Sequence, residues 1–395
     1  KQATELDKQV KAAASDAARQ KDLQDQLGKV RAELAGVKEE LQRRFPVTLA
    51  FVGEREQPAA TVIFDRGDIT KPGAVVSAGG LSAIAIPAAD FGLNENALEA
   101  ERRVRFAQWL TDPQNNPLAA RVIVNRIWLQ HFGKGLVPTP NDFGTRGQAP
   151  THPQLLDWLA GRFIESGWSM KALHRSILLS GTYRQSTGDP ASPAFAHALT
   201  TDPNNLLYWR FDRQRLSAEE LRDSLLTVSG QLDLTPGGPF SLPQPGSWSY
   251  SQHVPFAGVP ETSQRSVYQM IVRNRRNLFL SLFDGADPNA TTPMRQVTTV
   301  PTQSLYFLND PFFHAQAEKL AQRELEQPDD ASRLEALYRL TLQRPPTAAE
   351  REIAGQFLAR YLAELADSSA AERQVAAWSA WARIVLSSNE FLYLD

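Results

Sequence analysis

The chain has 395 residues, 42% hydrophobic and 22% charged, an ordinary balance for a globular protein and long enough for two or more domains with cores of their own. A net charge of -2 and a pI near 6.4 offer no basic face to nucleic acid or to an anionic membrane, and no run of about 18 apolar residues is present to span a bilayer. Cysteine is absent, which excludes disulfides, thiolate metal ligands, thiol nucleophiles and a covalently attached c-type haem within these residues.

Residues 1–45 form the first expected unit. Lys1 opens inside a helical pattern with neither an initiator Met nor a signal peptide, as expected of a processed or trimmed chain. Leu23, Leu27, Val30, Leu34, Val37 and Leu41 alternate steps of four and three, a heptad seam over nearly three repeats. Leu6, Val10, Ala13 and Ala17 continue it out of phase, so one long helix needs a three-residue stammer near Gln20. Two readings fit: a coiled-coil-like helix that pairs with a helix partner or forms a homo-oligomer, and an amphipathic helix lying on its own domain.

Residues 46–90 change character. Val47 to Val52 and Thr61 to Phe64 are β-branched and aromatic and predict a small antiparallel pair. Arg66-Gly67-Asp68 follows at once and is better explained by glycine in a turn after a strand than as an adhesion tripeptide.

From 91 to 395 the pattern is that of a mainly α, multi-helix domain. A helix over 96–111 precedes Asn116-Pro117, an N-cap with proline at the first helical position, and the helix that starts there runs to Phe132 before Gly133. Within it Arg121, Asn125 and Trp128 fall four and three apart on one face. The apolar remainder predicts burial, so the arginine and the asparagine must find partners. A polar loop, Gly133 to Pro150, carries Asn141 and Asp142. Thr151 to Gln154 then has the pattern of a capping box, opening a helix over 152–166 with His152, Asp157 and Trp158. Ser169 caps the next helix; residues 186–205, rich in Pro, Ala, Ser and Asp, predict a surface connection. Ser217 to Glu220 and Thr347 to Glu350 are further capping boxes, residues 265–274 are strand-like, and helices are expected near 311–326, 330–343 and into Phe391.

Phosphate-binding glycine loops, the nucleophile elbow and the His-Glu-x-x-His zinc helix have no counterpart. Three constellations remain. His131, Asp142, His152 and Asp157 have the residue types of a metal site or a His/Asp acid-base pair, although their spacing matches no ligand motif, so no metal is assigned; with Arg121 they make the candidate catalytic set, against buried hydrogen bonding and helix caps. Asp284, Asp287 and Asn289, like Asp112, Asn115 and Asn116, suit Asx turns and N-caps better than calcium. Trp248, Tyr268, Arg273, Arg295 and Asn125 are the candidate substrate-binding set, since aromatic platforms beside planar polar groups suit glycans; ion-paired helix packing is the competing explanation.

The phrases NPLAARVIVNRIWLQHFGKGLVPTPNDFG, THPQLLDWLA, GWSMKALHRSILLSGTYRQS, RLSAEELRDSLL, RSVYQMIVRN, TTVPTQSLYFLND, LYRLTLQRPPTAAE and SSNEFLYLD, from about residue 47 to 395, resemble the planctomycete-type C-terminal domain of unknown function 1553. The resemblance implies an extracytoplasmic, bacterial setting near a cytochrome-like domain, with any c-type haem on sequence outside these residues or on a partner. Two functions follow as expectations: binding or oxidative processing of extracellular polysaccharide, or a non-catalytic scaffold whose polar motifs are buried structure and whose N-terminal helix mediates oligomerisation.

Overall fold

A computed structural model describes residues 5–6, 9–10, 12, 17–44, 56–57, 59–82, 89–114, 116–238, 262–273, 276–365 and 369–394. The chain divides into two compact units, Lys1–Gln57 and Pro58–Asp395.

In the first unit the heptad seam lies on α1 (Ala17–Arg44), which runs unbroken through Gln20. The stammer expected there does not occur. Glu5, Leu6 and Gln9 instead share a cleft with Gln26, Lys29 and Val30. In one straight helix Gln9 and Gln26 would stand roughly 25 Å apart, so the leading helical residues lie beside α1 and do not prolong it. Leu27 is buried, whereas Leu34, Val37 and Leu41 remain 48%, 57% and 52% exposed.

The second unit opens on β1 (Val62–Phe64), antiparallel to β2 (Pro72–Val75). The turn between them places Arg66 at φ 51° and Gly67 at φ 79°, the left-handed geometry that glycine permits at least cost. The expected partner strand at 47–52 lies outside the described residues; β1 pairs onward. Helix α2 (Glu99–Thr111) buries Trp109 against Gly80, where a Cβ would sit 2.4 Å from the indole.

The first core gathers α3 (Leu118–Phe132), α4 (Pro153–Glu165) and α5 (Met170–Leu178). Helix α3 starts one residue later than the Asn-Pro signal suggests, with the Asn116 side chain accepting from the Leu118 N–H. Gly133 ends it at φ 72°. The capping box at Thr151 is not formed: the Thr151 N–H donates to the Leu136 carbonyl at 2.9 Å and its hydroxyl turns the same way, so α4 begins after His152. Helix α6 (Pro193–Thr201) lies within the stretch expected to be a surface connection; none of its residues is buried, and the dense Pro, Ser and Asp around it hide its short Ala- and Leu-bearing turn pattern.

The second core is built from α7 (Ala218–Val228), α8 (Leu278–Leu282), α9 (Pro301–Asn309), α10 (Pro311–Glu324), α11 (Asp330–Leu342), α12 (Ala348–Glu364), α13 (Ala370–Leu386) and α14 (Asn389–Leu392). Its centre is α10 against α13, where Phe313, Ala317, Leu320 and Ala321 meet Ala377, Trp378, Ala382 and Val385, alanines allowing two large aromatics to seat between the axes. Capping boxes form at Ser217/Glu220, Thr347/Glu350 and Ser369/Glu372. Arg344 grips both Glu350, at 2.7 Å, and Glu390, at 2.5 Å, and its hydrogen bonds pull the Glu350 carboxyl down to about 2. Within the strand-like run at 265–274 the described residues form a 3₁₀ turn at Ser266–Tyr268, and just before it Arg222 ties the backbone to α7 through the carbonyls of Gln264, at 3.0 Å, and Thr262. Asp223 accepts both the N–H and the hydroxyl of Ser266.

A two-residue ladder joins the cores: β3 (Gln214–Arg215) pairs with β4 (Tyr393–Leu394), while the Gln214 side chain donates to the His131 carbonyl at the end of α3, 2.8 Å away. No helix among the described residues is long and apolar enough to cross a membrane.

Glu324, on the buried side of α10, is 3% exposed and its Oε2 has no hydrogen-bond partner among the described residues. Burial raises its carboxyl above the ordinary value. Between the unfolded and the raised folded value the native state holds the extra proton, so this group's contribution falls as pH rises and levels off above the folded value. Glu324→Gln should therefore be neutral in acid and stabilise by about 1–3 kcal/mol above neutrality, measured by denaturant unfolding across pH.

Candidate functional site

The loop after α3 reverses the chain within a few residues and must satisfy its polar backbone out of reach of water. Asn125 does this. Its fully buried side chain donates to the Val137 carbonyl at 3.0 Å and accepts the Val137 N–H at 2.8 Å, so one amide replaces a two-bond ladder rung. Gly135 passes so closely that a Cβ would lie 2.8 Å from both terminal atoms of Asn125. Further out, Arg126 reaches Asn141 at 2.8 Å, and Thr139 donates to the Asp142 carbonyl while accepting from the Gln148 N–H. The Asp142 carboxylate accepts the Gly144 N–H at 2.8 Å, an Asx turn.

The other candidate residues sit around this clamp on separate partners. Arg121 forms an ion pair with Asp157 of α4 at 2.6 Å. His152 lies 3.0 Å from the Thr151 hydroxyl, with its ring 5.7 Å from that of Tyr208. Trp128 donates to the Tyr208 hydroxyl at 2.8 Å, and Lys134 lies over the same ring while binding Asp212 and the Asn204 carbonyl. His131 meets His174 of α5: Nε2 and Nδ1 are 2.8 Å apart with rings at 74°, and Tyr183 stands edge-on to His131 at 86°. One ring must donate and the other accept, so the bond requires at least one neutral imidazole. Burial, and then the neighbouring His174, hold the His131 imidazole below its ordinary value.

His131, Asp142, His152 and Arg121 are thus each bonded to a different group, His174, Gly144, Thr151 and Asp157 in turn. Among the described residues no set of three or more His, Asp or Glu side chains is placed to hold a metal ion. In the second candidate set, Arg295 is bidentate on Glu219; burial would raise that carboxyl, and the arginine outweighs it and leaves it lowered. Tyr268 is half-buried against Gly237, Arg273 is exposed and offers its carbonyl to Asn289, and Trp248 lies outside the described residues. Asn125 belongs to the clamp. Asp287 closes an Asx turn with the Asn289 N–H, as the sequence suggested, whereas Asp284 accepts the N–H and hydroxyl of Thr298, fourteen residues away, and makes neither the turn nor the cap expected of it. His174, Tyr183 and Tyr208 are the participants that sequence reasoning passed over; all three come from beyond the loop, and no local spacing joins them to α3.

Asn125→Leu leaves both polar groups of Val137 buried without a partner and should cost about 2–5 kcal/mol by chemical denaturation. Gly135→Ala should destabilise through the same contact, with a double mutant less costly than the sum. At His131 the unfolded chain binds the proton first as pH falls below the ordinary imidazole value. Native stability should therefore drop between that value and the lowered one, and His131→Phe should flatten this dependence, read by thermal unfolding across pH.

Neither a curated protein nor a solved structure matches the chain. The family model PSD1, described as protein of unknown function (DUF1553), matches residues 102–358, more than half of the sequence and the whole of the α3 to α5 core with its loop. This chain belongs to the DUF1553 family.

Proposed function

We propose that this chain is an assembly module and not a catalyst: its polar motifs are internal architecture, and its N-terminal helix carries the association. What supports this reading most is the fate of the polar residues around α3. Asn125 spends both ends of its amide on Val137, Arg121 pairs with Asp157, His131 with His174, Asp142 with the Gly144 N–H and His152 with the Thr151 hydroxyl, so each has a partner within this fold that accounts for its placement without a substrate. The exposed stretch of the α1 seam then supplies the surface that needs a partner. The resemblance of the quoted phrases supports an extracytoplasmic setting beside a cytochrome-like partner.

Sedimentation equilibrium of the full chain tests the proposal. We expect a concentration-dependent oligomer that Leu34→Ser/Val37→Ser/Leu41→Ser dissociates and that Asp142→Asn and His152→Gln leave intact. A chain that stays monomeric at its highest attainable concentration refutes the assembly reading. So does saturable binding to a polysaccharide that Tyr268→Ala, Arg273→Ala or Arg295→Ala abolishes while the fold is kept; that result would favour the carbohydrate reading.

A further inference from the structure

We infer that the uncovered part of the α1 seam is occupied by the same helix of a second copy of this chain, lying parallel and in register. The inference rests on the assembly reading and adds partner and orientation to it. In heptad terms Leu27, Leu34 and Leu41 take position a and Leu23, Val30 and Val37 take position d. The leading helical residues share a cleft with α1 as far as Val30. Beyond that point Leu34, Val37 and Leu41 stay about half exposed on one face, and Arg44, at the next d position, is turned onto Glu40 at 2.9 Å and closes the stripe.

Charge beside the stripe selects the orientation. Glu33 and Glu40 stand at position g, Arg31 and Lys38 at position e. When two such helices run parallel and in register, each g residue faces the e residue of the following heptad on the other helix, so Glu33 meets Lys38 of the second copy, and the symmetry axis repeats the pair. Turned antiparallel, g faces g and e faces e: Glu33 approaches Glu40, and Lys38 approaches Arg31. The same residues that attract in one orientation repel in the other, which is how charge sets partner and direction in helix pairs. The parallel arrangement also stacks Leu on Leu and Val on Val in successive layers. Leucine at a with β-branched valine at d favours more than two strands, and every adjacent pair of a parallel bundle keeps the Glu33 to Lys38 contact.

The absence of cysteine makes the test clean. In the full chain, Leu41→Cys places two sulfurs in one layer of a parallel, in-register pair, so mild oxidation should give a covalent dimer on a denaturing gel that reductant reverses. Ala32→Cys, on the outer f position, should give none. Glu33→Lys should weaken association about tenfold, and Glu33→Lys/Lys38→Glu should restore it. If the unmodified chain does not associate at all, the assembly reading falls and this inference with it. If it associates but Leu41→Cys fails to self-link, while a mixture of Leu41→Cys and Val30→Cys chains does link, the helices run antiparallel; the orientation is then wrong and the assembly reading stands.

Discussion

The clamp between Asn125 and Val137 is the interaction on which the rest of the second unit depends. A buried helix followed by a tight reversal leaves backbone groups that neither water nor a helix ladder can reach. One side-chain amide satisfies a donor and an acceptor of the same residue, which fixes both the position and the orientation of the returning strand of loop. From there the geometry propagates. Leu136 is held so that its carbonyl receives Thr151, α4 starts at the right place, and its Asp157 arrives opposite Arg121. Replacing the amide with a hydrocarbon of similar size would fill the space and lose the order, since packing alone has no preference for one polar pairing over another.

The polar groups around α3 divide their work by depth. Asn125 and the Trp128–Tyr208 bond lie in the interior and set the arrangement of the helices; Arg121, Arg126 and Lys134 close the rim through ion pairs and carbonyl contacts that solvent weakens. His131 lies between these zones. Its ring is tied to α5 through His174, and its carbonyl receives Gln214, so the end of α3 is fixed at once to its own core and to the segment leading into the second.

Much of this was legible in sequence because it is local. The apolar saturation of α3, the Gly133 stop, the serine and threonine caps and the Asx turn at Asp287 each follow from a few neighbouring residues. What escaped depends on distant ones. Thr151 has a capping pattern, yet a carbonyl fifteen positions earlier outcompetes the cap. Residues 265–274 carry strand-forming side chains, yet Asp223 of α7 takes the Ser266 N–H that a sheet would need. The seam in residues 1–45 was plain, while the cleft that Glu5, Leu6 and Gln9 share with Gln26, Lys29 and Val30 is something no periodicity encodes. The residue types flagged around α3 were legible, but their partners were not: His174 and Tyr208, which engage His131 and Trp128, were invisible from spacing.

The ladder between Gln214–Arg215 and Tyr393–Leu394 has a kinetic meaning. Helical proteins ordinarily fold fast because their contacts join near neighbours along the chain. Here two short strands from opposite ends of the second core must find each other across everything that lies between, and the entropy of closing so large a loop is recovered only after the intervening helices have already shortened it. The ladder is thus a latch that snaps late, converting a loosely gathered set of helices into one cooperative body, and its opening is the natural first step when that body comes apart.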